Sequence, residues 1–141
     1  MRVPLLLVED DKLMAQFIIQ TVYEFNPSID IHHSVNGEEA LTELRERYFP
    51  LILLDLQMPL MGGLEVLQIA KGEENYYSPF IVISSSRLDA DIERAYMLGA
   101  AAYLCKIPIP NFLDALTQGL GFYINYSLSP MPHYDSPSNR R

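Results

Sequence analysis

Cys105 is the only cysteine in a chain of 141 residues. That excludes an internal disulfide framework and a cysteine-cluster zinc site. Basic residues are scarce too: 10 Lys and Arg stand against 18 Asp and Glu, for a formal net charge of −8. A nucleic-acid-binding face is normally basic, so this chain is not expected to contact nucleic acid directly. No run approaches the ~18 consecutive apolar residues that a membrane span needs. The opening Met1-Arg2-Val3-Pro4-Leu5-Leu6-Leu7-Val8 starts like a signal peptide, but Glu9-Asp10-Asp11 cuts it short. Together these absences predict a soluble cytoplasmic protein with no membrane contact. What is present supports a core: 49% of residues are hydrophobic and only 20% charged. A single domain of this size buries roughly 70% of the surface of its unfolded chain.

Proline and charge divide the chain once. From Ser127 to Arg141 there are three prolines, four serines and hardly an aliphatic residue. Residues 1–126 are therefore read as the folded domain, and 127–141 as a disordered tail, linker or expression remnant. Within the domain, Val3–Val8, Ile29–His33, Leu51–Leu54, Phe80–Ile83 and Ala102–Cys105 are apolar runs of strand length. Three are nearly continuous, as in parallel strands covered on both faces. Helical spacing fills the intervals. Leu13, Met14, Phe17, Ile18, Val22 and Phe25 form a stripe at three-four spacing, with Asp11 as the cap. Asn36 caps a second helix, with Glu38 and Glu39 in its first turn, where they complement the helix dipole. Segments near 62–72, 87–99 and 110–126 supply three more, and Gly99 is placed to end the fourth in a left-handed conformation. The last carries Leu113, Leu116, Leu120, Tyr123 and Ile124 as its apolar stripe. Five strand–helix units in series predict an α/β doubly wound parallel sheet with helices on both faces. Ligands of such sheets sit at the carboxyl ends of the strands.

The strand ends carry complementary groups. Glu9, Asp10 and Asp11 follow the first strand, Asp55 the third, Ser84-Ser85-Ser86 the fourth and Lys106 the fifth. Acids at a helix start, or one Asp in a turn, are ordinary when they stand alone. Three carboxylates on one edge repel one another. A hard divalent cation such as Mg²⁺ relieves that conflict, taking one or two carboxylates and several waters. Lys106 adds a point charge suited to a phosphoryl group. Neither a His nor a Cys base lies near Asp55 in sequence, which argues against a hydrolase triad. Cys105 is expected to be a buried strand residue, and His32 and His33 to lie off the site. A carboxylate nucleophile served by Mg²⁺ and an ammonium fits phosphoryl transfer.

Residues 3–126 resemble the receiver domain of two-component response regulators. The match runs in order through Leu5-Leu6-Leu7-Val8-Glu9-Asp10-Asp11, Asn36-Gly37-Glu38-Glu39-Ala40-Leu41, Leu53-Leu54-Asp55-Leu56-Gln57-Met58-Pro59 and Leu98-Gly99-Ala100, and ends at Tyr103-Leu104-Cys105-Lys106. The resemblance implies a flavodoxin-like (βα)5 fold and a phosphoacceptor at Asp55. It implies Mg²⁺, with Mn²⁺ as a substitute, held by Asp10, Asp55, the backbone carbonyl of Gln57, and Glu9 through water. Lys106 would pair with the phosphoryl oxygens, Ser84 and Tyr103 would form the switch, and Gln57 and Ser86 would tune the lifetime of the acyl phosphate. The implied partners are a sensor histidine kinase or histidine phosphotransfer protein, and a downstream protein or fused output domain. Output would run through the surface of the fourth helix, fifth strand and fifth helix, with room for a phosphorylation-dependent homodimer. Such a domain is not an enzyme in the ordinary sense: it catalyses only its own phosphorylation and slow dephosphorylation.

Two departures matter. Lys106-Ile107-Pro108 separates the lysine from the proline that usually follows it. A cis bond costs only about 0.5–1 kcal/mol before proline but about 3–4 elsewhere. The 106–107 bond is therefore expected trans, with any cis bond at 107–108. Gly62-Gly63 stands where the family has Asp-Gly; the second glycine is kept, so the turn is expected to survive. A stand-alone receiver is the favoured architecture, and the receiver of a longer DNA-binding transcriptional regulator is the alternative. A haloacid-dehalogenase-like phosphatase needs a second acid where Gln57 stands. A flavodoxin-type electron carrier needs a hydroxyl- and glycine-rich loop where Glu9, Asp10 and Asp11 stand.

Overall fold

Side chains alternate across a strand, and here both faces of the alternation are apolar. In β1 (Val3–Val8), Leu5 and Leu7 point to one face, Leu6 and Val8 to the other, and all four are buried. The same holds for β3 (Leu51–Asp55) and β4 (Phe80–Ser84), which are buried along their whole length. With β2 (Ile29–Ser34) and β5 (Ala102–Cys105) at the edges, the strands form one parallel sheet in the order β2-β1-β3-β4-β5. The computed structural model describes residues 2–125; residues 126–141, including the segment read as a tail, lie outside the described residues.

Two cores follow. Helices α1 (Lys12–Phe25) and α5 (Ile109–Asn125) cover one face, where Ala15, Ile18, Val22, Phe112, Leu116 and Leu120 meet Leu5, Leu7, Leu53 and Ile83. Helices α2 (Gly37–Glu46), α3 (Gly63–Gln68) and α4 (Asp89–Met97) cover the other, against Leu6, Val8, Ile52, Leu54 and Val82. Each fully buried Leu, Ile or Phe contributes roughly 1.5–3 kcal/mol relative to exposure.

Local signals hold at the helix ends. The Asp11 side chain accepts from the amides of Leu13 and Met14, and that of Asn36 from Glu39. Gly99 ends α4 at φ 106, the left-handed region. The cis bond is Ile107–Pro108, so Lys106–Ile107 is trans.

Four expectations shift. The α1 stripe is rotated: Ala15, Ile18 and Val22 define its buried line, while Leu13, Phe17 and Phe25 are exposed along its flanks. In α5 the buried line begins at Phe112 and not at Leu113, which is half-buried. The third helical segment has the expected extent but is not α-helical throughout. After Gln68 it widens into a π-helical turn, Ile69–Glu73, which brings Lys71 Nζ 2.8 Å from the carbonyl of Ser78 and over the ring of Phe80. Cys105 is only partly buried, because β5 is an edge strand whose residues are all half-exposed.

Gly63 fixes how the chain leaves β3. Its amide donates to the carbonyl of Leu56, and a Cβ there would lie 2.2 Å from the carbonyl oxygen of Asp55. Backbone cannot yield as a side-chain tip can. Gly63→Ala is expected to cost more than about 2 kcal/mol in urea unfolding, at the upper end of overpacking costs. Gly72, with nothing within 4 Å of its Cβ position, provides the contrast: Gly72→Ala is expected to be neutral or to gain up to about 1 kcal/mol.

Candidate functional site

β1 has neighbours on both sides whose connections leave in opposite directions, so the crevice of the sheet opens at the carboxyl ends of β1 and β3. Register brings the chemistry there. Val8 pairs with Leu54, so Glu9 and Asp55 follow side by side, and Asp55 pairs with Ile83, one residue before Ser84. The amide of Lys106 donates to the carbonyl of Ser84 at 2.8 Å, which aligns the end of β5 with the end of β4. Oxygens of Glu9, Asp10 and Asp55 all lie within 4.8 Å of one another.

Glu9 and Asp55 are buried, at 0% and 2% exposure, whereas Asp10 is open to solvent. Lys106 Nζ reaches both buried acids, 2.7 Å from Glu9 Oε1 and 3.0 Å from Asp55 Oδ1. The displaced proline therefore does not shorten the reach of the lysine. Asp55 Oδ1 also accepts from the amide of Gln57 at 3.3 Å. Glu9 Oε2 accepts from the amide of Asp11, but Oε1 receives no aligned hydrogen bond despite the nearby ammonium.

One ammonium thus answers two buried carboxylates. Burial raises the Asp55 carboxyl and Glu9 raises it further; Lys106 offsets them only in part, so the Asp55 pKa is pushed up from 3.8 to about 8. Burial lowers Lys106, but Glu9 and Asp55 outweigh it, and its pKa ends above the ordinary lysine value. The lysine stays charged, and the pair of acids carries more negative charge than it can hold comfortably. That donor set fits a hard divalent cation, which accepts carboxylate oxygens and waters. Glu9 Oε1, fully buried and in ion-pair contact with Lys106, would accept from a water on such an ion.

Around this centre the hydroxyl groups form a chain. Ser84 is fully buried, and its Oγ accepts from the amide of Ser86 at 3.0 Å. Tyr103 is half-buried and donates its hydroxyl to the carbonyl of Ser86 at 2.9 Å. The side chain of Gln57 accepts from Ser85 Oγ at 3.4 Å across the mouth of the site. Glu9, Asp10, Asp55 and Lys106 thus meet at this edge, with Gln57, Ser84, Ser86 and Tyr103 hydrogen-bonded around it. Two residues were missed. His33 is not off the site, since its Nε2 lies 2.8 Å from the backbone carbonyl of Glu9 and must donate to it. The pairing of β1 with β2 could have revealed this, because Val8 stands opposite Ser34. Asp91, in the first turn of α4, accepts from Ser86 Oγ; no short motif marks it.

A folded-state pKa raised above the unfolded value stabilises below the unfolded pKa, and that stability is lost as pH rises through the folded one. Without divalent cations, the wild type is expected to lose stability relative to Asp55→Asn as pH rises from about 5 through 8. The variant should be more stable at pH 8 by more than about 1 kcal/mol, roughly 3 °C in melting temperature for a domain of this size. Parallel melting curves for the two proteins at several pH values, with chelator present, check this.

Known proteins resemble this chain in sequence and fold. Residues 5–117 match the family described as response regulator receiver domain. The transcriptional regulatory protein CrdR of Helicobacter pylori is 32% identical over 127 residues, covering 89% of this chain and 56% of that protein. The polar-differentiation response regulator DivK of Brucella ovis is 36% identical over 88 residues, 61% of this chain and 72% of that one. This chain therefore spans little more than half the length of CrdR. Among solved structures, the phosphorylated cyanobacterial phytochrome response regulator RcpA superposes with a TM-score of 0.85 at 25% identity, covering 92% of this chain and 99% of that one. With the family matched over most of its length and the acids and lysine gathered at the expected sheet edge, this chain belongs to the response regulator receiver domain family.

Proposed function

We propose that the domain is a phosphorylation switch in which Asp55 takes a phosphoryl group from a phosphohistidine of a sensor kinase or phosphotransfer protein. The observation that carries this reading is the single ammonium of Lys106 set against two buried acids, 2.7 Å from Glu9 and 3.0 Å from Asp55. Such a site is short of positive charge and holds a carboxylate ready as nucleophile. An oxygen of Asp55 attacks phosphorus as the bond from phosphorus to the donor breaks, and the donor leaves with the electron pair. Lys106 neutralises the incoming phosphoryl oxygens from the position where it now pairs with Asp55 Oδ1. Asp10, Asp55 and the Gln57 carbonyl, with Glu9 through water, would hold Mg²⁺ or Mn²⁺, which supplies further positive charge to those oxygens.

The phosphoryl group adds nearly two negative charges. Ser84 Oγ would turn from the Ser86 amide toward it, and Tyr103 would follow, altering the surface of α4, β5 and α5. Gln57, exposed beside Asp55, and Ser86 would set how readily water reaches the acyl phosphate. The output is read by a separate protein, by a second copy, or by a fused domain, for which the greater length of the transcriptional regulatory protein CrdR leaves room. Among the described residues no helix is long and apolar enough to cross a membrane, in keeping with a cytoplasmic place of action. The domain turns over no substrate beyond its own acyl phosphate.

Acetyl phosphate with Mg²⁺ is expected to add one hydroxylamine-labile phosphoryl group, releasing acetate. Asp55→Asn should reduce this labelling at least a hundredfold by intact mass, and labelling that persists in the variant would place the acceptor elsewhere. Mg²⁺ at ten times its dissociation constant should stabilise the fold by about 1.4 kcal/mol through linkage. Asp10→Ala should abolish that rise in melting temperature.

A further inference from the structure

Ser86 uses every polar group it has. Its amide donates to Ser84 Oγ at 3.0 Å, and its carbonyl accepts from the Tyr103 hydroxyl at 2.9 Å. Its own hydroxyl donates to Asp91 Oδ2 and accepts from the amide of Leu88 at 3.2 Å. The residue therefore joins the buried serine of the site, the aromatic of β5 and the first turn of α4.

Helix α4 depends on such ties. Its N-cap, Leu88, has no side chain that can cap, and Ala95 is its only buried residue. At its far end Tyr96 accepts from the amide of Tyr103 at 3.1 Å. A helix with one buried alanine is shallowly seated, so a few hydrogen bonds decide where its first turn lies.

From this geometry we infer that Asp91 is the positioning residue through which the state of Ser84 reaches α4. This rests on the phosphoacceptor role of Asp55. In the switch proposed above, Ser84 Oγ leaves the Ser86 amide from which it now accepts and turns toward a phosphoryl oxygen. When it turns, residues 84–88 are released from the site. Asp91, bonded to the Ser86 hydroxyl, carries that displacement into the first turn of α4. Without the carboxylate, the loop rearranges while Ala95 and Tyr96 keep the helix in place. Asp91 is half-buried and touches neither Asp55, Lys106 nor Ser84; its carboxylate meets only the Ser86 hydroxyl, so its loss leaves the phosphoacceptor in place, and shifts are compared at equal phosphorylated fraction.

The test compares wild type, Asp91→Ala and Asp91→Asn by backbone amide NMR, before and after acetyl phosphate and Mg²⁺, with intact mass giving the phosphorylated fraction. In Asp91→Ala, Asp55 should still be phosphorylated, and at equal phosphorylated fraction the amides of Ser84 and Tyr103 should shift as in wild type. The shifts across residues 89–97 should fall at least twofold. Asp91→Asn, whose amide oxygen can still accept from Ser86, should restore them. A role confined to stability would lower the melting temperature without separating the two sets of shifts. Full α4 shifts in a phosphorylated Asp91→Ala protein would overturn the link while leaving the phosphoacceptor role standing. Failure of the wild type to become phosphorylated would overturn both.

Discussion

Two carboxylates share one ammonium in the interior of this domain, and much of the molecule is arranged around that imbalance. Glu9 and Asp55 are buried where water cannot screen them, and Lys106 contacts both. Removing two like charges from water beside each other is costly unless a cation or a proton joins them. The fold tolerates the arrangement because the surrounding sheet is almost wholly aliphatic. Val8, Leu54 and Ile83, the last apolar residues of the three central strands before the site, are fully buried. Hydrophobic burial supplies the stability, and the strand ends are left to hold charge.

The imbalance stands beside an exposed acid. Asp10 is exposed next to the buried pair, so an ion can arrive from solvent and still touch Asp55. The backbone closes in from the other side. Gly63 passes so close to the Asp55 carbonyl that no side chain fits, and His33 pins the Glu9 carbonyl from β2. These contacts fix where the acids stand, and the hydroxyl chain from Ser84 through Ser86 to Tyr103 and Asp91 connects that place to α4.

Much of this was legible in the sequence, for identifiable reasons. Strands buried on both faces read as unbroken aliphatic runs, so β1, β3 and β4 were plain, and parallel order then fixed which residues end up together. Asp11, Asn36 and Gly99 announce helix ends through backbone chemistry that acts within a few residues. What escaped depended on distant partners. Leu13 and Phe17 have the spacing of a buried stripe, yet α1 is turned so that Ala15 and Ile18 face the sheet; spacing fixes the period of a helix but hardly its rotation. Cys105 looks like any strand residue until β5 proves to be an edge. The π-helical turn after Gln68 goes with Lys71 reaching Ser78, and the tie from Ser86 to Asp91 needs α4 in place. No short motif encodes either.

The central claim is electrostatic: burial and Glu9 raise the Asp55 carboxyl, and a cation at the site brings it back down and frees the carboxylate to act as nucleophile. Carbon-13 NMR titration of the Asp55 carboxyl, with and without Mg²⁺, measures this directly. The account predicts a pKa near 8 in chelator, well above the ordinary carboxylate, and a marked fall when millimolar Mg²⁺ is added. An ordinary value near 3.8 in chelator, or a raised value that Mg²⁺ leaves unmoved, would contradict it.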